Sequence, residues 1–234
     1  GRIKKAIEND SRKAIFHMNL AIIYVKTSQW NEAELASRRS IQLCPNDGEM
    51  WAILGQSLAG LGKIDEAINA FEKSLNVKPN NIQVYCNLAS LLTVAGKYED
   101  AETACCSALS IQPNFAKALH SLGVVQSASG RLDEAETSFK KTLKLDPHNG
   151  QTITNLASIY STQTKYVEAI SLFKKVIGVN PNSTEAYFNL GVCYSECGEM
   201  DEALNCFDRT LEIDPNNIDA YYAIATSGKK LLSV

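Results

Sequence analysis

Three histidines and seven cysteines, with several adjacent carboxylate pairs, are the residues in this 234-residue sequence that could transfer protons, hold a metal or attack a substrate. His17, His120 and His148 stand far apart, and none joins a serine or cysteine in a triad motif. No phosphate-cradling glycine loop, dinucleotide fingerprint or zinc-protease motif is present. Cys193 and Cys197 are four apart, which on a helix places two sulfurs on one face. Zinc needs four ligands, usually with tight CxxC spacing, and only Cys206 is near. Pairs such as Asp65-Glu66 and Asp133-Glu134 could suggest acid–base work. Placed in the first turn of a helix, they serve its dipole instead. The expectation is a chain with no catalytic residues, no metal and no cofactor, and so not an enzyme.

The elements that would position any site follow from the prolines. Pro45, Pro79, Pro113, Pro147, Pro181 and Pro215 are each 34 residues apart. A fixed period of this length signals a repeat architecture. With proline at position 32, six repeats run 14–47, 48–81, 82–115, 116–149, 150–183 and 184–217. Position 20 is Ala33, Ala67, Ala101, Ala135, Ala169 and Ala203; position 7 is always leucine; position 8 is always alanine or glycine. Position 24 is phenylalanine in four repeats, with Ser37 and Cys105 in the others.

These spacings predict two helices per repeat. Positions 4, 7, 8 and 11 share a face of helix A, as in Trp51, Leu54, Gly55 and Leu58. Positions 17, 20, 24, 27 and 28 do so in helix B, as in Leu132, Ala135, Phe139, Thr142 and Leu143. Gly62, Gly96, Gly130 and Gly198 at position 15 suit a left-handed helix end. Asp47, Asn81, Asn149 and Ser183 at position 34 suit the N-cap of the next helix A, with Phe115 the exception. The small residues at positions 8 and 20 let the two helices approach closely, so Ala135→Leu should overpack the contact. Residues 1–13 fit the end of a preceding helix B, with Ile3 at position 24 and Ala6 at position 27. Residues 218–234 begin a seventh helix A or capping helix, with Tyr221, Ile224 and Ala225 at positions 4, 7 and 8. Both ends suggest a slice of a longer protein.

The pattern W-x2-L-G, with alanine at 20, phenylalanine at 24 and proline at 32, resembles the tetratricopeptide repeat. WAILGQSLAGLGKIDEAINAFEKSLNVKP and YFNLGVCYSECGEMDEALNCFDRTLEIDP carry it most fully. The first repeat departs most, with His17, Ser28 and Ser37 at positions 4, 15 and 24. The resemblance implies an all-α fold, a right-handed α-solenoid of stacked antiparallel helix pairs. It also implies that the A helices line a groove for proteins or peptides, with positions 2, 5, 6, 9, 12 and 13 facing it.

On that register position 6 reads Asn19, Ile53, Asn87, Ser121, Asn155 and Asn189. An asparagine amide both donates and accepts, so a column of them can hold a peptide main chain whatever its side chains. The column resembles the asparagine ladder in the repeat arm of O-linked N-acetylglucosamine transferases. Gln56, Ser90, Lys117, His120, Ser158 and Phe188 complete the expected peptide-binding set. Groove charges are few, namely Lys26, Glu49, Lys117, Glu185 and Glu196. The Lys/Arg cluster by which chaperone-binding members clamp a C-terminal carboxylate is missing. Cys86, on the groove face, is the one thiol expected to be accessible, while Cys105 and Cys193 stand where apolar residues stand in other repeats.

The composition agrees: 45% hydrophobic and 21% charged residues, with a net charge of −3. That balance argues against disorder and against bulk nucleic-acid binding. No apolar run is long enough to span a bilayer. The start lacks a signal-peptide core, and seven cysteines do not suit a disulfide framework, so a reducing, cytoplasmic setting is expected. The functional expectation is a non-catalytic scaffold that holds an extended protein segment, with no nucleic-acid or membrane partner. Its rival is a substrate-recruiting arm of a larger glycosyltransferase- or sulfotransferase-type enzyme. Exposed terminal repeats offer a route to homo-oligomers.

Overall fold

Each proline of the 34-residue period ends a helix because the residue before it is pushed into extended backbone. Cys44, Lys78, Gln112, Asp146, Asn180 and Asp214 all have φ between −126 and −143° and ψ between 76 and 96°. In the computed structural model, which describes residues 2–231 with side chains from 13 to 226, the result is a chain of helices and no strand among the described residues. They are α1 (Arg2–Lys26), α2 (Trp30–Leu43), α3 (Gly48–Gly60), α4 (Ile64–Val77), α5 (Ile82–Val94), α6 (Tyr98–Ile111) and α7 (Ala116–Ala128). Then follow α8 (Leu132–Leu145), α9 (Gly150–Thr162), α10 (Tyr166–Val179), α11 (Thr184–Glu196), α12 (Met200–Ile213) and α13 (Ile218–Leu231). Odd-numbered helices are the A helices and even-numbered ones the B helices. The expected all-α helical repeat solenoid is the architecture observed.

The chain forms two compact units, Gly1–Gly130 and Arg131–Val234. Within each, an A helix packs on its own B helix, and each B helix packs on the next A helix. All six position-20 alanines have no exposed surface, and the position-24 residues are at most 1% exposed. The fit is close. A Cβ added to Gly55 would lie 2.6 Å from Cε1 of Phe71, and one added to Gly191 would lie 2.6 Å from Cε1 of Phe207. In these two repeats glycine at position 8 makes room for the phenylalanine ring, whereas in the fifth Ala157 and Phe173 are buried together.

The turn from helix A to helix B is a Schellman motif. Gly62 donates to Ala59 O at 3.0 Å and Lys63 to Leu58 O at 2.9 Å. Position 15 has positive φ in every repeat: Gly62, Gly96, Gly130 and Gly198 at 72–81°, Ser28 at 56° and Thr164 at 60°. The two non-glycines adopt the same geometry because the bonds around them demand it; Lys165 donates to Tyr160 O at 2.8 Å. A β-branched residue is strained in that region. Thr164→Gly is expected to raise the unfolding free energy by about 1 kcal/mol, the left-handed penalty less glycine's extra chain entropy. Urea midpoints of the two proteins check this, and coincident curves would refute the strain.

N-caps follow the sequence pattern. Asp47, Asn81, Asn149, Ser183 and Asn217 accept backbone N–H bonds at 2.9–3.3 Å from the turn that follows. Phe115 caps nothing. Its ring instead packs over the small buried cluster of Cys86, Ala108 and Ala118.

Two features depart from the repeat. First, α1 is a single 25-residue helix that runs without a break through the position equivalent to the prolines. Ser11 occupies that position, so nothing stops the helix between residues 1–13 and the first repeat. The expected placements of Ile3 and Ala6 lie outside the described side chains. Phe16 and Ile23 on α1 remain 64% and 56% exposed. Second, ion pairs join neighbouring repeats. Glu34 accepts from Arg38 at 2.9 Å and from Lys63 at 2.7 Å, and Arg38 also donates to Glu66 at 2.8 Å. Burial alone would push the Glu34 carboxyl up; the bonds from Lys63 and Arg38 outweigh it and hold the pKa below the ordinary 4.5. Glu136 repeats the arrangement in the second unit, with Lys140 at 2.6 Å, Lys165 at 3.5 Å and the Tyr160 hydroxyl at 3.2 Å. The Lys140 hydrogen bond leads in lowering its pKa.

Candidate functional site

Because positions 4, 7, 8 and 11 of each A helix are turned toward a B helix, positions 2, 6, 9 and 13 are left on the opposite, open side. In the first unit that face is built by α1, α3, α5 and α7. Asn19 and Lys117 are exposed there, and Asn87 and Gln56 are half-buried. Asn87 accepts a hydrogen bond from Gln83 at 2.9 Å. Ser90 is exposed, and its hydroxyl donates to Cys86 O at 3.1 Å. His120 is half-buried, and that burial pushes its pKa below 6.5. Ser121 is only 9% exposed and Ile53 only 7%, so the asparagine column is interrupted on α3 and α7.

In the second unit α9 and α11 present Asn155 and Asn189 on adjacent A helices at the same register. Both are half-buried, as are Ser158 and Phe188. The Phe188 ring lies 5.8 Å from that of Phe207, so it serves packing as well as the face. The side-chain amides of Asn19, Asn155 and Asn189 make no hydrogen bond within the described residues. Their donors and acceptors are open to a ligand.

Position 5 requires a correction. Cys86 has no exposed surface, and burial pushes its thiol pKa up. It is buried with Ala108 of α6 and Ala118 of α7 rather than on the open face, and Ala52 is likewise buried, at 6% exposure. The exposed thiols are Cys106 and Cys197. Cys105 and Cys193 are fully buried, and burial pushes the Cys105 pKa to about 12. The seven cysteines are unpaired. Among the described residues no cluster of three metal-ligating side chains forms, and no helix is long and apolar enough to cross a membrane. One charged residue of the open face went unread in the sequence: Asp219, at position 2 of α13, shares the register of Glu185 on α11.

Family comparisons match three segments. Residues 161–227 and 116–149 each match a tetratricopeptide repeat model, and 24–107 match the TPR domain of cytochrome c-type biogenesis protein H. No curated protein matches the sequence. Among solved structures, the APC/C heterotetramer Cut9–Hcn1 superposes with TM-score 0.81 at 20% identity, over 96% of this chain and 46% of that one. This chain thus spans under half of that relative. The structure of pilF from Pseudomonas aeruginosa gives TM-score 0.79 at 16% identity, over 93% and 99% of the two chains. YrrB, described as a TPR protein with an unusual peptide-binding site, gives 0.63 at 19% identity, over 81% and 98%. At these identities the likeness is one of fold.

Proposed function

Since this chain is an array of tetratricopeptide repeats, we propose that it is a non-catalytic protein-interaction scaffold whose open A-helix face holds an extended protein segment. The observation that carries this reading is that the side-chain amides of Asn19, Asn155 and Asn189 make no hydrogen bond among the described residues. An amide that has no internal bond and is only half-buried is ready to exchange water for a peptide group. The geometry suits a main chain. Packed helices lie about 8–10 Å apart, and an extended chain advances about 3.3 Å per residue. Asn155 and Asn189 would therefore meet peptide groups about three residues apart. The peptide-binding description of YrrB supports the same use of this fold.

Using the array as bait and mapping the retained segment would supply the ligand. Asn155→Ala with Asn189→Ala should then weaken that segment about ten-fold or more, from two lost hydrogen bonds, with unchanged thermal unfolding. Equal affinity in the double variant would remove the asparagines from the binding face.

A further inference from the structure

Asn149 is the only asparagine of the sequence that glycine follows. The pair is chemically labile. A backbone nitrogen can attack the carboxamide before it, and glycine has no side chain to block the approach. The structure leaves that nitrogen open. Gly150 is the first residue of α9, so its N–H has no carbonyl to bond within the helix. A Cβ added to Gly150 would meet nothing within 4 Å. At the other cap–glycine pair, Asp47-Gly48, a Cβ would lie 2.9 Å from Ser74 O, and the Ser74 hydroxyl donates to Gly48 O at 2.6 Å. The asparagine caps Asn81 and Asn217 precede Ile82 and Ile218, whose branched side chains shield the nitrogen. What restrains Asn149 is its own cap. Its Oδ1 accepts from Thr152 N at 2.9 Å and from the Thr152 hydroxyl at 2.8 Å, and its Nδ2 donates to Asp146 Oδ2 at 3.0 Å.

We propose that Asn149 is a site of spontaneous deamidation, gated by opening of the first turn of α9. The Gly150 nitrogen gives its proton to water and bonds to Cγ of Asn149. The Cγ–Nδ2 bond breaks, ammonia leaves, and a cyclic imide closes. Water then opens the imide at either carbonyl. Breaking the new Cγ–N bond yields aspartate at 149. Breaking the original peptide bond yields isoaspartate, whose main chain runs through the former side chain. The reaction needs water and no other reagent. Aspartate keeps the cap acceptor but loses the Nδ2 donor and faces the Asp146 carboxylate. Isoaspartate lengthens the backbone by one carbon and displaces the cap, which loosens the helix that presents Asn155.

The test incubates the full chain in warm, mildly alkaline buffer beside a synthetic peptide of residues 145–155. Peptide mapping by mass spectrometry follows aspartate and isoaspartate at residue 149. The folded chain should convert about ten-fold or more slowly than the peptide, the weight of three hydrogen bonds. Unfolding in urea should bring the chain to the peptide's rate. Gly150→Ala, for which the structure has room, should suppress conversion in chain and peptide alike. Asp146→Ala, which frees Nδ2, should speed the folded chain several-fold and leave the urea-unfolded chain unchanged. In the isoaspartate form the amides of the first turn of α9 should exchange hydrogen faster. Conversion that is absent from the unfolded chain, or undiminished by Gly150→Ala, overturns the site. So does a folded chain that stays unconverted even with Asp146→Ala. A folded chain that converts as fast as the peptide, or is unmoved by Asp146→Ala, overturns the gate.

Discussion

Phe71→Ala is expected to lower the unfolding free energy by about 3–5 kcal/mol. Phe71 is 1% exposed, and its ring fills the space opened by Gly55 on the facing helix. Truncation removes the ring from a contact that the opposing backbone cannot refill, because position 55 carries no side chain to move in. The loss also spreads. Phe71 belongs to one cluster with Leu75, Val84, Leu88 and Ala104, so it joins its own repeat to the next. In a repeat array, stability is a sum of repeat and neighbour terms, and this change strikes both. Urea unfolding followed by far-UV circular dichroism measures it. A loss under about 1 kcal/mol would mean that the ring does not hold the pair together. Two of the three repeats with alanine at position 8 suggest a compensation: Ser37 and Cys105 replace the phenylalanine where position 8 is Ala21 and Ala89, while Phe173 stands with Ala157. Adding Gly55→Ala to the Phe71→Cys variant should therefore recover part of the loss.

The second large effect comes from adding volume. Ala203→Leu should cost about 1–3 kcal/mol by overpacking. Ala203 has no exposed surface and is clustered with Leu190, Cys193 and Phe207. The added atoms have no void to enter, so helices α11 and α12 must separate or side chains must leave their rotamers. Asn205→Leu, two residues on, is the control. Position 22 faces solvent, and Leu35 occupies it in the first repeat at 56% exposure. That change should stay within about 0.5 kcal/mol. Equal thermal midpoints for the two leucine variants would contradict the packing assigned to position 20.

Much of this architecture was legible because it rests on local chemistry repeated in phase. Proline and the pre-proline residue end each B helix, position 15 ends each A helix, and position 34 caps the next. The continuous α1 went unread, although a serine stands in place of a proline at residue 11; residues 1–13 were set apart as the end of a preceding helix B. What the sequence hid depends on distances between repeats. Cys86 was assigned to the open face by register, yet its small side chain is enclosed with Ala108 of α6 and Ala118 of α7. The Glu34–Lys63 and Glu136–Lys165 pairs share a separation of 29 residues. That separation has no meaning within one repeat; it appears only once two B helices lie side by side. The asparagine register and its breaks at Ile53 and Ser121 were readable, but the burial of those two side chains was not, since it depends on neighbouring helices.

The uneven exposure of the thiols has a practical consequence. Cys106 lies in the first unit and Cys197 in the second, and water reaches both. Burial pushes the Cys105 and Cys206 pKa values up to about 12 and about 11, which keeps those sulfurs protonated and unreactive at neutral pH. With half-buried Cys44 changed to serine, the molecule therefore comes with one dye-attachment handle on each half. A dye on each handle would report binding of a guest to each unit separately.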